Sequence, residues 1–189
     1  MKIDNSYFCL DLSSYFNNKG ITSESNMKEG MLSLGYSSFP EKGFPNKEVF
    51  YYNNVPFKLA KDSFYDNVEL SEQIIEFPQK RVESVYVLGV ANNGDFFEKI
   101  TFLCNGERVE DGDLHFTDFM STYPVFANEL VYRADYLHTV SGKYTYVKPI
   151  LWYDAIHLKD KKNIDAIQVE DNPSMHIFAI TLKLVEKEG

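Results

Sequence analysis

The patterned stretch at residues 163–184, NIDAIQVEDNPSMHIFAITLKL, constrains the fold most. Its first apolar run, residues 164–169, alternates apolar and polar side chains, which is typical of a half-buried strand. Its second run, residues 176–182, is rich in β-branched and aromatic residues and predicts a central, largely buried strand. A polar turn with Asp171, Asn172 and Pro173 separates the runs, so a hairpin or a short sheet-to-sheet connection is expected. We therefore predict an all-β domain whose last strand completes a sheet.

Short strand-like runs also recur along the rest of the chain. Turn signals rich in Asn and Gly follow several of them, at residues 17–20, 92–95 and 105–106. The interval 22–47 lacks periodicity and predicts a long ordered loop with at most one short strand, and 127–138 is compatible with a strand or a short helix. This pattern predicts one antiparallel two-sheet β-sandwich or jelly roll spanning residues 1–189, with its core at about 7–184. The strand at 96–103 is expected to pair with 81–90 across the turn at 92–95, and a further turn follows at 105–106. The predicted strands are 7–15, 49–52, 55–59, 73–78, 81–90, 96–103, 114–116 and 145–157.

Charge and hydropathy restrict the classes of partner. The 189-residue chain carries a formal net charge of -9, which argues against binding the phosphate backbone of nucleic acids. The same charge gives no support to attachment to an anionic membrane. The N-terminus has no sustained apolar segment typical of a signal peptide, and no run is long enough to span a bilayer. The default expectation is a cytoplasmic protein, or a secreted one if a leader has been removed.

The two cysteines, Cys9 and Cys104, lie far apart in the sequence and show no metal-binding spacing. Each has apolar neighbours, which favours buried free thiols. A disulfide between them is the alternative.

Six stretches of the chain form an ordered set, at 15–21, 55–57, 66–68, 73–78, 85–95 and 176–182. Taken in this order, they resemble the galactose-binding-like β-sandwich family of non-catalytic modules found beside glycoside hydrolases. The resemblance implies a jelly roll and, as a weaker inference, carbohydrate binding. One segment, residues 28–36, departs from the family pattern, because Leu32 and Leu34 stand where an acidic residue is expected.

A set of loop amides and carboxylates forms the main candidate ligand site. Such groups offer the paired donors and acceptors that sugar hydroxyls require, and they would converge at one end of a sandwich. Ordinary turn residues are the alternative interpretation. Their oxygens would also suit a structural calcium ion, although no EF-hand-type spacing is present and no cofactor is expected otherwise. The set comprises Asn17, Asn18, Asp66, Asn67, Asn92, Asn93 and Asp95.

Histidine and aromatic side chains add further candidates. His138, in a polar stretch, is the best loop candidate among four histidines, none of which shows metal-ligand spacing. Trp152, the single tryptophan, predicts either a stacking platform for a sugar or a core residue. Tyr36, Phe39 and Phe44 are expected either to be exposed on the long loop or to pin that loop down.

No catalytic signature is present, and the acidic run at residues 110–113 is interpreted as a solvated turn. We therefore expect a non-catalytic module that binds a carbohydrate or a glycan-bearing partner through loops at one end of the sandwich. A protein-interaction or assembly module using the aromatic loop from Tyr36 to Phe50 is the second hypothesis. A small-sugar enzyme on a jelly-roll scaffold is the third.

Overall fold

A computed structural model describes residues 4–45, 49–60 and 64–185. Within these residues the chain forms fourteen strands and one short 3₁₀ helix, Met27–Glu29. The strands are β1 (Tyr7–Cys9), β2 (Ile21–Thr22), β3 (Phe39–Pro40), β4 (Phe50–Tyr52), β5 (Val55–Phe57), β6 (Val68–Ser71), β7 (Ile74–Ala91), β8 (Phe96–Cys104), β9 (Glu107–Phe116), β10 (Glu129–Arg133), β11 (Leu137–Thr139), β12 (Gly142–Tyr144), β13 (Ile150–Val169) and β14 (Asp171–Leu184).

Three long strands, β7, β13 and β14, form the centre of the molecule. The main sheet has the order β1-β14-β7-β13-β8-β9, with β10 added beside β13 and β6 beside β14. All pairs in this sheet are antiparallel, whereas the small β2–β3 pair is parallel. The all-β, antiparallel architecture predicted from the sequence is thereby confirmed.

The central strand β7 corrects two of the predicted strand boundaries. The sequence predicted separate strands at 73–78 and 81–90, but β7 is continuous through Pro78. Its register with β13 shifts between the pairs Ile164–Lys80 and Ala166–Glu76, so Pro78 lies where the ladder is interrupted. A proline, which has no N–H to donate, is tolerated in a sheet at such a bulge.

Strand pairing also differs from the simple hairpins that the sequence suggested. The strand at 96–103 was predicted to pair with 81–90, but β8 pairs with β9 and β13. The closing strands β13 and β14 lie on opposite sides of β7 rather than against each other. The acidic run around Gly112 is not a turn, because it lies inside β9. Only the Asn105–Gly106 turn, with both residues at positive φ, closes a hairpin as predicted, between β8 and β9.

Two apolar cores cover the opposite faces of the central strands. Side chains of β7 alternate, so that Val85 and Val87 face the first core, and Leu88 and Val90 face the second. Phe102 of β8, the strand next to β13, also belongs to the first core. Each fully buried side chain of this size contributes roughly 1.5–3 kcal/mol to folding. The fold is therefore a β-sandwich built around strands that are buried on both faces.

Residues 22–45 form much of the cover of the second core, whereas residues 46 and 47 of the predicted loop lie outside the described residues. This part of the chain contains the second residue of β2, the 3₁₀ helix and β3, where the sequence predicted a long ordered loop with at most one short strand. Phe39 and Phe44 are buried and pack against Phe178 of β14, so they hold the loop against the core instead of being exposed. They are buried because the second face of the sheet is apolar and needs a hydrophobic cover. Tyr36, by contrast, is exposed.

Both cysteines are free thiols, as expected. Cys9 is buried and Cys104 is half-buried. Among the residues that the structure describes, no helix is long and apolar enough to span a membrane.

Candidate functional site

Four of the predicted loop residues come together, with His176, in a buried hydrogen-bonded network. Asn67 donates from Nδ2 to Asp66 Oδ1 at 2.9 Å and to the carbonyl oxygen of Asn18 at 3.1 Å. Its Oδ1 lies 3.1 Å from His176 Nδ1, and the other ring nitrogen lies 2.9 Å from Asn92 Nδ2. All five side chains are buried. We call these residues the amide–imidazole network, and their polar groups are already paired with one another.

Burial sets the protonation state of the two titratable members of this network. Desolvation lowers the pKa of His176 to about 3, so the ring is neutral at pH 7. A ring that donates from Nδ1 to Asn67 and accepts at Nε2 from Asn92 satisfies both contacts. Desolvation also raises the pKa of Asp66 to about 6, although its carboxylate accepts from the backbone N–H groups of Gly20 and Ile21. The network therefore has a structural role, because its buried side chains hydrogen-bond to one another.

The remaining predicted loop residues contact the protein itself. Asn17 bonds both backbone groups of Glu69, donating to its carbonyl oxygen at 3.0 Å and accepting from its N–H at 2.7 Å. Asn93 has a positive φ of 59° in the turn after β7. Asp95 accepts from the backbone N–H of Asp118 at 2.8 Å. Asn93 therefore matches the alternative interpretation as a turn residue, whereas Asn17 and Asp95 join segments that lie far apart in the sequence. The described residues contain no group of three or more His, Cys, Asp or Glu side chains suited to a metal ion.

Trp152 lies in the first core with 1% of its surface exposed. Its indole N–H donates to the carbonyl oxygen of Asp118 at 3.3 Å. Trp152 is therefore a core residue, and the prediction that it forms a stacking platform for a sugar is wrong, because neither ring face is open to a ligand.

His138, by contrast, lines an open cavity of about 400 Å³. The cavity lies beside β2 and β11, where residues 22–43 lie against the β11–β12 hairpin. An isolated pair of backbone hydrogen bonds between Ser38 and His138, each 3.1 Å, holds the two segments together. We call this space the His138 cavity. It is lined by Thr22, Ser23, Glu24, Glu41, Lys42, Gly43, Tyr136 and His138.

The imidazole of His138 ends a short chain of hydroxyl groups. Its Nδ1 lies 2.8 Å from Thr22 Oγ1, which lies 2.6 Å from Ser38 Oγ. The side chain is 1% exposed, and Nε2 is the one buried side-chain polar atom without a hydrogen-bond partner among the described residues. Burial, followed by the charge of Lys143, lowers the pKa of His138 below its ordinary value. The ring is therefore neutral at pH 7, with one nitrogen unsatisfied.

Charged and aromatic groups stand around the opening of the cavity. Lys143 of β12 forms an ion pair with Glu24, and its Nζ lies 5.1 Å from the centre of the Tyr136 ring. The Tyr136 ring centre in turn lies 5.5 Å from that of His138. The walls thus offer carboxylate acceptors, ammonium and hydroxyl donors, and one aromatic ring.

The sequence matches a protein-family model over most of its length. The model of the AziU2-like β-sandwich domain matches residues 6–186. The chain belongs to the AziU2-like β-sandwich domain family. No curated protein sequence matches it significantly.

In this AziU2-like domain the sequence pointed to only one residue of the cavity, His138. Thr22, Glu24 and Lys42 lie in the interval 22–47, which carries no periodic signal. Tertiary contacts alone bring them beside a histidine more than ninety residues away, through the Ser38–His138 bridge. The polar composition of the interval was the available signal, since polar loops inside compact domains are often functional.

Proposed function

We propose that this AziU2-like domain is a non-catalytic module that binds a small hydroxyl-rich ligand, a carbohydrate, in the His138 cavity. The observation that carries the proposal is the buried Nε2 of His138, which has no protein partner among the described residues. An unsatisfied buried polar group costs about 1–3 kcal/mol, so a ligand that pairs with it recovers that free energy.

The size and chemistry of the cavity support a monosaccharide unit. Its volume of about 400 Å³ falls within the range of small-molecule sites. Glu24 and Glu41 accept hydrogen bonds from hydroxyl groups, and Lys42 donates to them. The Tyr136 ring supplies an apolar surface against which C–H groups of a sugar pack.

The hydroxyl chain explains why a ligand hydroxyl suits His138. If the ring donates from Nδ1 to Thr22, Nε2 accepts, and if Thr22 donates to Nδ1, Nε2 carries the proton. Thr22 and Ser38 each rotate their O–H groups to suit either state. A hydroxyl both donates and accepts, so it pairs with Nε2 in both tautomers.

The resemblance to galactose-binding-like modules supports the same class of ligand. It extends over most of the chain, but the β-sandwich is the part of it that the family match supports. The proposed ligand surface differs from the one that the loop amides and carboxylates predicted, because four of those residues belong to the buried amide–imidazole network.

Titration of the intact protein with a panel of monosaccharides, followed by NMR chemical shifts and calorimetry, tests the proposal. We expect saturable shifts at Thr22, Lys42 and His138, and about fivefold or greater loss of affinity in His138→Gln, which removes the imidazole. The matched control is His157→Gln, because His157 also contacts a hydroxyl through Nδ1, at 2.8 Å from Ser84 Oγ, but does not line the cavity.

The exposed Lys42 provides a second variant that leaves the buried hydroxyl chain intact. We expect Lys42→Gln to weaken binding without changing the unfolding temperature. Absence of saturable binding by the wild-type protein would contradict the proposal. Wild-type affinity in both His138→Gln and Lys42→Gln would also contradict it.

A second candidate function is assembly by self-association through an apolar loop surface formed by Met31, Leu34, Tyr36, Phe64 and Tyr65. All five side chains are exposed, and Leu34 at a loop tip is 91% exposed. Lys19 links the two loops, since its Nζ lies 4.1 Å from the centre of the Phe64 ring and its carbonyl oxygen accepts from the Met31 N–H at 2.8 Å. This surface replaces the aromatic loop from Tyr36 to Phe50 that the sequence suggested, because Phe39 and Phe44 in that loop are buried.

The molar mass in solution, measured over a range of protein concentrations, tests self-association. A mass that rises with concentration in the wild type and stays constant in Leu34→Asp supports it. A constant monomer mass in both proteins contradicts it.

A further inference from the structure

A second cavity, distinct from the His138 cavity, lies where three segments of the chain meet. It has a volume of about 180 Å³ and is bounded by the loop after β9, the end of β10 and the segment that leads into β13. This is the equivalent of about six water molecules at roughly 30 Å³ each. We call it the Arg133 cavity. It is lined by Met120, Ser121, Thr122, Arg133, Tyr146, Val147, Lys148 and Ile150.

We propose that the Arg133 cavity binds a phosphate group. Two cationic side chains, Arg133 and Lys148, line a small concave space in a chain whose formal net charge is -9. Within residues 4–45, 49–60 and 64–185, neither forms an ion pair with an acidic side chain within 4.0 Å. Positive charges that line the same small space repel each other, and an anion bound in that space relieves the repulsion.

The donors of the cavity suit an oxyanion. Arg133 has five N–H donors, and it gives one Nη2 hydrogen to the carbonyl oxygen of Thr122 at 3.4 Å, which orients the guanidinium. The hydroxyl groups of Ser121 and Thr122 and the ammonium of Lys148 line the same space. A phosphate group presents three acceptor oxygens and about two negative charges, whereas a carboxylate presents two oxygens and one charge. Two cations and two hydroxyls therefore match a phosphate better.

The floor and rim of the cavity are consistent with a bound group that projects outward. Ile150 at the base is fully buried, and its backbone N–H donates to the carbonyl oxygen of Phe119 at 2.7 Å, which fixes the wall. Tyr146 is 88% exposed at the rim, where its ring provides a surface for whatever carries the phosphate. The nearby carboxylate of Asp118 accepts hydrogen bonds from the backbone N–H groups of Met120 and Gly94, so it already has partners within the protein.

The test is a titration of the full chain with inorganic phosphate at constant ionic strength, followed by backbone NMR shifts. We expect saturable shifts at Ser121, Thr122 and Lys148, and about tenfold or greater loss of affinity in Arg133→Gln and in Lys148→Gln. Both side chains are exposed, so the variants should keep the wild-type unfolding temperature. The control is Lys161→Gln, which removes the same charge from an exposed position on β13 that does not line the cavity.

Each alternative outcome overturns the proposal in a distinguishable way. Equal affinity for acetate and phosphate would identify an anion site with no preference for phosphate. Equal loss of affinity in Lys161→Gln would identify a long-range effect of net charge. No saturable shift with phosphate, or unchanged affinity in both cavity variants, would exclude the site. Because sugar binding is followed at Thr22, Lys42 and His138, failure of either proposal leaves the other testable.

Discussion

At several positions in this domain, burial within the protein explains a polar side chain better than contact with a ligand does. Asn67 and Asn92 looked like sugar-binding amides in the sequence, yet both are buried and bonded to His176. Local sequence could not distinguish the two uses, because the same amide satisfies a turn, a buried partner or a ligand. The distinction rests on contacts between residues that lie more than eighty positions apart.

Asp66 should give the folded protein a characteristic dependence on pH. Its folded-state pKa of about 6 lies above the ordinary value of 3.8, so the folded state takes up this proton first. Acidification from pH 6 to pH 4 therefore stabilises the wild type relative to Asp66→Asn by about 2 kcal/mol, since a full pH unit between the two pKa values contributes about 1.4 kcal/mol. His176, with its pKa lowered to about 3, has the opposite effect on acidification, but it is present in both proteins and cancels in the difference.

Urea unfolding of both proteins between pH 7 and pH 4 measures this difference directly. A difference in the free energy of unfolding that stays constant with pH would show that Asp66 titrates normally in the folded state. A carboxyl titration by NMR provides an independent value of the pKa.

Gly89 should tolerate no side chain. A Cβ at this position would lie 2.2 Å from Cζ of Phe116 and 2.5 Å from the carbonyl oxygen of His176. We expect Gly89→Ala to destabilise the fold by about 1–3 kcal/mol or more, because the core around β7 is overpacked by the added methyl group. Gly35→Ala is the control, since its nearest neighbour, Ser33 Oγ, is 3.5 Å away. Thermal unfolding that shifts equally in both variants would refute this account.

The two thiols should differ in reactivity. Burial raises the pKa of Cys9, which disfavours its reactive thiolate, and its Sγ contacts the carbonyl oxygen of Pro56 at 3.3 Å. Cys104 is half-buried near the end of β8. We expect iodoacetamide to modify Cys104 in the folded protein and Cys9 only after denaturation, as read by mass spectrometry of peptides. Rapid modification of Cys9 under native conditions would contradict its burial.

At the scale of elements, the long strands were predicted in pieces. Each half of β7 showed a strand-like pattern, and Pro78 predicted that the first strand ends there. The strand continues instead, because Pro78 lies at a bulge in the pairing with β13. The Asn105–Gly106 turn was predicted correctly because positive φ at both positions is a local property of those residues. The turn at 92–95 was also correct, but the partner of β7 was not, since partner choice depends on the whole sheet.

Asn17 should hold the edge strand β6 in register. Its side chain makes two hydrogen bonds with the backbone of Glu69, so Asn17→Ala should cost about 1–2 kcal/mol and speed amide exchange at Glu69. Asn163→Ala is the control, because Asn163 is exposed on β13 and makes no side-chain hydrogen bond within the described part of the chain. Unchanged exchange at Glu69 in the Asn17 variant would show that β6 is held by its pairing with β14 alone.

At the scale of the whole molecule, the two cores share the strands β7, β13 and β14. The single domain predicted from the sequence therefore should unfold in one step. Phe57 belongs to the second core and Trp152 to the first, so Phe57→Ala tests the coupling between them. We expect a loss of about 3–5 kcal/mol that shifts the Trp152 fluorescence and the far-UV circular dichroism transitions together.

Separate transitions in Phe57→Ala would show that the second core unfolds independently. The wild-type protein, followed by the same two probes, serves as the reference. Coincident transitions in both proteins would establish one cooperative unit.

The sequence by itself determined the fold class, since alternation, β-branched runs and Asn–Gly turns are local consequences of backbone geometry. It also pointed to His138 as the histidine best placed for a ligand. Only the tertiary structure decided which strands pair, which aromatic rings form the second core, and which amides are buried. The physical reason is that burial and unsatisfied hydrogen-bonding capacity are properties of contacts between distant residues. The pairing of Thr22 with His138 Nδ1, and the buried Nε2 that has no partner among the described residues, have no signature in either segment alone.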